Sequence, residues 1–214
     1  MKLVSINIGK EQAITGAKSY GVTGIYKQPQ TDTVTVTPLG LEGDTISDTE
    51  NHGGPDQAIY VYTLPDYGWW EQELGRQLAP GTFGENLTLS EGISNRMTIG
   101  DRIHIGDVVL EVTDARIPCV TLAVRMGDPT FVKRFTQAER PGAYCRVIVP
   151  GQIKINADVQ IEPATHSQFT ILDSFRLFYN KKATPADLQR ALDTPISIRG
   201  RHDIQKRLDA MSGD

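Results

Sequence analysis

Gly100-Asp101-Arg102-Ile103-His104-Ile105-Gly106-Asp107-Val108-Val109-Leu110-Glu111-Val112-Thr113 decides the fold. Two short strand-like runs, Arg102–Ile105 and Val108–Thr113, are each preceded by Gly-Asp, a pair that turns a chain tightly. The stretch reads as one antiparallel hairpin. The same grammar extends outward in both directions. Leu3–Ile8, Gly21–Tyr26, Thr33–Pro38, Ala58–Tyr62, Asn86–Leu89, Tyr144–Val149 and Val159–Pro163 are further short strand candidates, punctuated by Gly, Asp or Pro. Many short strands with turn residues between them predict an antiparallel sandwich or barrel over residues 1–163.

Downstream of the hairpin comes Arg116-Ile117-Pro118-Cys119-Val120-Thr121-Leu122. Pro118 has no N–H to give a sheet, so the chain leaves its strand there and a helix-like run follows. Amides at a helix start are free donors that stabilise a nearby thiolate, and Arg116 adds a positive charge. Spacing alone leaves Cys119 open between a reactive thiol and a small buried apolar residue.

Two helices are predicted inside the β region. One spans about Pro65 to Leu78, with Tyr67, Trp70, Leu74 and Leu78 on one face as core. The other is started by Asp128-Pro129 and runs through Phe135. From His166 to Asp214 the strand signals vanish. Phe169–Tyr179, Thr184-Pro185 to Leu192, and about Arg201 to Met211 are helix candidates, a segment too small to be stable alone. The expected division is residues 1–163 and a helical unit at 164–214.

Of 214 residues, 39% are hydrophobic and 22% charged, which supports an ordinary globular core rather than disorder. A net charge of -4 argues against general nucleic-acid binding but leaves room for a small cationic pocket. The two cysteines, Cys119 and Cys145, make no metal spacing and no disulfide framework. With no long apolar segment, a soluble cytoplasmic protein with no membrane partner is expected. The sequence leaves the oligomeric state open, with a monomer favoured.

Four segments carry polar residues that strand packing does not need. Thr23-Gly24-Ile25-Tyr26-Lys27 places a lysine beside a strand. Gly43-Asp44 precedes Asn51-His52-Gly53-Gly54-Pro55-Asp56, where two glycines allow amides to converge on an anion and His52 can donate or move a proton. Gly81-Thr82-Phe83-Gly84-Glu85-Asn86-Leu87 supplies a carboxylate and a carboxamide, and Arg116–Cys119 is the fourth. Each has a plain structural alternative: an edge lysine, a glycine turn, a loop whose Asn86 ties its own backbone. No Walker loop, dinucleotide fingerprint, serine-hydrolase elbow or zinc pattern is present.

Taken in order, Gly40-Leu41-Glu42-Gly43-Asp44, His52-Gly53-Gly54-Pro55-Asp56, Phe83-Gly84-Glu85-Asn86-Leu87 and Arg116-Ile117-Pro118-Cys119 resemble a MOSC domain, the module named for the C-terminal part of molybdenum-cofactor sulfurases. Thr23–Lys27 and the helical tail make the chain similar to the stand-alone bacterial YiiM-like branch. The resemblance implies a mainly β fold, a MOSC-type β-barrel with interspersed helices and a small C-terminal three-helix subdomain. It implies a molybdenum cofactor in its molybdopterin form, with Cys119 as the molybdenum ligand and the catalytic residue. Thr23, Lys27, His52, Gly53, Gly54, Glu85, Asn86, Arg116 and Cys119 are the implied cofactor-binding set. Lys27, His52, Arg116 and the Gly53-Gly54 turn would meet the cofactor's phosphate, and Asn86 its pterin. Cys145 matches no ligand motif and reads as core. The implied activity is reduction of N-hydroxylated compounds, such as hydroxylaminopurine base analogues, to amines. Two cysteines are too few for an all-cysteine iron–sulfur cluster, so electrons would come from a separate donor protein. The alternative is a non-catalytic carrier of the cofactor, or of sulfur on Cys119, delivering to other enzymes. Basic residues of the tail, Arg199 or Arg201 foremost, are expected at the substrate entrance or the donor surface.

Overall fold

The computed structural model describes residues 1–17, 21–49, 52–165 and 168–212, so Asn51, His166 and Asp214 lie outside the described residues. The strands are β1 (Leu3–Ile8), β2 (Gln12–Ala13), β3 (Val22–Thr23), β4 (Gln28–Gln30), β5 (Val34–Thr37), β6 (Gly40–Leu41), β7 (Ile59–Thr63), β8 (Leu87–Leu89), β9 (Arg102–Ile105), β10 (Val108–Ala115), β11 (Ala143–Val149), β12 (Gly151–Ile153) and β13 (Val159–Glu162). The helices are α1 (Leu64–Leu74), α2 (Val120–Met126), α3 (Phe131–Ala138), α4 (Ile171–Tyr179), α5 (Pro185–Leu192) and α6 (Ile198–Ser212).

The hairpin forms as its turn residues predict, with Val108 opposite Ile105 and Glu111 opposite Arg102. It lies within an eight-stranded sheet of order β13-β9-β10-β11-β7-β8-β1-β4. All its pairings are antiparallel except β7 with β8. A smaller sheet, β12-β5-β6, and a ribbon, β2-β3, complete the β structure.

The expected barrel does not close among the described residues. The sheet curls until Lys2 and Asp158 form one isolated bridge, with Leu3 N–H donating to the Ala157 carbonyl at 3.0 Å. The two edge strands, β13 and β4, do not pair. One physical reason lies at β1, which already pairs with β4 at Ile6–Ile8 and is left to meet the β13 side only at its first residues.

Other boundaries differ for local reasons. The strand expected over Gly21–Tyr26 shrinks to β3 because Thr23 Oγ1 takes the Ile25 N–H at 3.1 Å, bending the chain. Helix α1 stops at Leu74, where Gly75 turns left-handed at φ 64. Asp128 caps a turn through the Thr130 N–H, which delays α3 to Phe131. Cys119 is itself the residue before α2.

Two apolar clusters form the core. Leu3, Ile6, Ile59, Ile103, Leu110 and their neighbours from the sheet pack in one cluster with Phe169, Ile171, Phe175, Leu188 and Ile204 of the tail. Each such burial contributes about 1.5–3 kcal/mol. The second is aromatic: Tyr60, Tyr62, Tyr67, Trp70, Phe83, Phe131 and Phe135. Capping boxes at Thr170 with Asp173 and Thr184 with Asp187 start α4 and α5. Helix α6 starts at Ile198, before the expected Arg201, and its first N–H donates to Asp56 Oδ2 at 2.6 Å. None of the described helices is long and apolar enough to cross a membrane.

Candidate active site

The site begins with three backbone segments pressed together. A Cβ on Gly24 would lie 1.9 Å from the Thr45 carbonyl oxygen, so only glycine lets these segments touch. Thr45 N–H donates to the Gly9 carbonyl, and Gly9 N–H to Asp44 Oδ1 at 2.7 Å. Asp44, thus placed, accepts from Lys27 Nζ at 2.6 Å on both oxygens and from Asn86 Nδ2 at 2.8 Å. Asn86 Oδ1 in turn accepts from the Tyr60 N–H at 3.0 Å. Burial lowers the Lys27 pKa against the raising pull of Asp44. Lys27 and Asn86 therefore reach the site with their main bonds already committed to the protein.

Cys119 stands opposite. It is half-buried at the end of the β10 strand segment, where Pro118 has released the chain into α2. Burial alone would push its thiol up. A hydrogen bond with His52, the charge of Arg116 and the Leu122 N–H outweigh that and hold it at about 6. His52 is presented by the Gly53-Gly54 turn, whose φ values of 74 and 82 a side-chain-bearing residue rarely adopts.

Arg116 is buried at 4% exposure, and no carboxylate pairs with it among the described residues. Its guanidinium donates to the Phe83 carbonyl at 2.9 Å and lies 5.2 Å from the Tyr60 ring centroid, and its charge acts on the Tyr60 and Tyr144 phenols. A buried cation without a carboxylate is costly unless an anion comes to it. The thiolate of Cys119 is one such anion.

Two cavities meet here. A small one of about 110 Å³ is lined by Thr23, Lys27, His52, Gly53, Asn86, Arg116 and Cys119. It thus gathers seven of the nine sequence-predicted residues from four distant segments. Gly54 is in the adjoining turn but not on the wall, and Glu85 is buried behind it. Glu85 Oε1 accepts from Tyr67, the Gly81 N–H and Thr88, while Oε2 has no partner; burial pushes its pKa up. Cys145 is fully buried among apolar neighbours, and burial pushes its thiol up.

The larger cavity, about 830 Å³, lies between the sheet and the tail. Cys119, His52, Gln57 and Tyr144 line both spaces, so the thiol sits at their junction. Leu177 and Phe178 of α4 and Arg199, Gly200 and Ile204 of α6 form the tail's side of the wall. Arg201 is not on it. Its guanidinium donates to the Leu192 carbonyl at 2.8 Å and also to the Thr194 carbonyl, closing off the end of α5. The tail is pinned by Asp114, which accepts from Ser174 at 2.8 Å and Ser197 at 2.6 Å, and by Arg146, which donates to the Pro195 carbonyl at 2.9 Å.

Sequence reasoning did not single out Asp44, Gln57, Tyr60, Asp114 or Tyr144. Tyr144 is directly opposite both Asp114 on β10 and Tyr60 on β7, so the three share one face of the sheet. Only the pairing register reveals that row. Asp44 carried a weak signal, since it was within a quoted motif.

The site is thus a half-buried thiol beside a buried arginine, at the mouth of a large cavity on a curled, largely antiparallel sheet. The chain belongs to the MOSC domain family, whose family model matches residues 48–160. It is 30% identical over 210 residues to the uncharacterized protein YflK of Bacillus subtilis, covering 98% of this chain and 95% of that one. The crystal structure of YiiM from Geobacillus stearothermophilus superposes with a TM-score of 0.81 at 28% identity, over 97% of this chain and 98% of that one. A protein named Reductase from Gibberella moniliformis is 29% identical over 179 residues, which are 82% of this chain but 32% of that longer one. These likenesses make this a YiiM-like member of the MOSC family. Its family is associated with binding or sulfuration of the molybdenum cofactor.

Proposed function

We propose that the protein is a molybdenum-cofactor-dependent reductase that converts N-hydroxylated compounds, such as hydroxylaminopurine base analogues, to amines with electrons from a separate donor protein. The observation that carries the reading is the position of Cys119 at the junction of the two cavities. A carrier needs an exposed cysteine and no substrate space. Here the thiol is half-buried beside about 830 Å³, a volume typical of small-molecule sites.

The donor set fits the cofactor. A thiol held at about 6 is mostly thiolate at neutral pH, and a soft thiolate is the form that binds molybdenum. Cys119 would hold the metal. Arg116 and the Gly53-Gly54 turn would meet the phosphate, with His52 orienting the thiolate. Lys27 and Asn86 shape the wall through Asp44. When bound, the cofactor supplies the two-electron chemistry. The chain's own residues bind and orient the substrate in the larger cavity, and the tail limits its access to water.

The test is metal analysis of protein purified from cells that make the cofactor, together with reduction of 6-hydroxylaminopurine by a reduced viologen dye. Molybdenum should be retained and turnover observed in the wild type, and both lost in Cys119→Ser. Equal molybdenum content in the two proteins would sink the ligand assignment.

A further inference from the structure

Four tyrosines crowd the aromatic floor of the site, and three of them have assigned protons. Tyr60 donates to the Pro141 carbonyl at 2.8 Å, Tyr62 to the Arg140 carbonyl at 2.9 Å and Tyr67 to Glu85 at 2.6 Å. Tyr144 differs. Its hydroxyl lies within the field of the Arg116 charge, yet no described residue accepts its proton. The nearest candidate by register is Asp114, directly opposite on β10. Its oxygens already take the Ser174 and Ser197 hydroxyls and the Ala115 N–H. A phenol offers one donor. In Tyr144 that donor is unclaimed, and the residue lines both cavities beside Cys119.

We infer that Tyr144 is the hydrogen-bond donor that holds the substrate oxygen to be removed, a role that rests on the reductase reading above. The nearby charge of Arg116 polarises the phenol's O–H bond towards donation. Burial keeps the group protonated at neutral pH, since it raises the phenol's pKa and Arg116 only partly opposes this. The reaction is balanced as R–NH–OH + 2 e⁻ + 2 H⁺ → R–NH₂ + H₂O. Tyr144 gives one proton to the oxygen as the N–O bond breaks and regains it from solvent. The second proton goes to nitrogen, and the electrons come from the separate electron-transfer protein. The substrate class sharpens accordingly: compounds with a hydroxyl on nitrogen are preferred over the amines they become.

The experiment measures binding of 6-hydroxylaminopurine and of adenine to the molybdenum-loaded protein without reductant, by calorimetry, and then turnover. Tyr144→Phe should retain molybdenum and bind 6-hydroxylaminopurine about tenfold more weakly with adenine unchanged, the loss of one hydrogen bond. Its kcat should fall about a hundredfold, as for a lost general acid. Tyr62→Phe removes a phenol whose proton is committed elsewhere and should leave the preference intact. If Tyr144→Phe loses molybdenum, Tyr144→fluorotyrosine replaces it, and its more acidic phenol should strengthen the preference. An unchanged ratio of the two affinities in the substituted protein, or no preference in the wild type, overturns the inference. A wild type that prefers the hydroxylamine through Tyr144 but never reduces it overturns the reductase reading while supporting the binding role.

Discussion

Replacing His52 with alanine tests the electrostatics of the site without any cofactor. The Cys119 thiol is held at about 6, and the hydrogen bond with His52 is the foremost cause acting against burial. The sign is direct: thiolate is present above about pH 6 and is lost as pH falls through it. At pH 7 about 90% of the thiol is ionised, against about 3% for an unperturbed cysteine near 8.5. The rate at a single pH is a poor readout. A thiolate of higher pKa is intrinsically more nucleophilic, and over a shift of two to three units this restores about tenfold of the roughly thirtyfold loss in thiolate. The midpoint of the pH–rate profile is the proper measure. Alkylation of the apo protein by iodoacetamide, followed by mass spectrometry at Cys119, should show a midpoint near 6. In His52→Ala, with Arg116 still in place, the midpoint should rise by about 1–2 units. Cys145, fully buried with its thiol pushed up, should stay unmodified in the folded protein. A wild-type midpoint near 8.5, or one unmoved by His52→Ala, would refute the reasoning.

Lys27→Met should cost about 3–5 kcal/mol in urea unfolding by leaving the buried Asp44 without its counter-charge, and Lys27→Met with Asp44→Asn should recover most of it. Loss of molybdenum without loss of stability would instead make Lys27 an anion ligand. Asp114→Asn should fold. Burial raises the Asp114 pKa against the hydrogen bonds of Ser197 and Ser174, so the native state favours its protonated form. Its contribution to stability is full below about pH 4, the unfolded value, and is lost as pH rises through the folded one. The wild type should therefore lose stability relative to Asp114→Asn over that rise, and parallel pH–stability curves would count against the account. Deleting residues 164–214 should give insoluble protein, because Phe169, Ile171 and Phe175 belong to the same apolar cluster as the sheet. A soluble, loaded and active truncation would overturn it.

What was legible in the sequence was local. The Gly106-Asp107 turn sets the central hairpin, Thr184-Pro185 starts α5, and Pro118 releases the chain ahead of Cys119. Each depends on residues within a few positions. The motifs also indicated which segments would converge, and seven of nine named residues share one small cavity. The rest depends on contacts distant in sequence. Asp56 caps α6 from 142 residues away, so the helix starts earlier than its own residues indicate. Asp44 claims Lys27, which changes a predicted free cation into one half of a buried pair. The row Asp114, Tyr144, Tyr60 exists only once the register of β10, β11 and β7 is set.

The division between committed and uncommitted groups organises the site. Lys27 and Arg116 are both buried cations, yet among the described residues only Lys27 has a carboxylate. A buried guanidinium without one needs other compensation. Carbonyl, ring and phenol contacts supply part of it, and the Cys119 thiolate a further part. Thiolate and guanidinium stabilise each other: the charge of Arg116 lowers the thiol's pKa, and Cys119 raises that of Arg116. Asn86, Lys27, Tyr60 and Asp114 hold their neighbours and have few bonds left to give. Cys119 and Tyr144 keep capacity beside the Arg116 charge, which has no carboxylate among the described residues, and all three line the same cavity. In a folded protein, where most buried polar groups are satisfied, unmet capacity gathered in one place marks where a ligand is to bind.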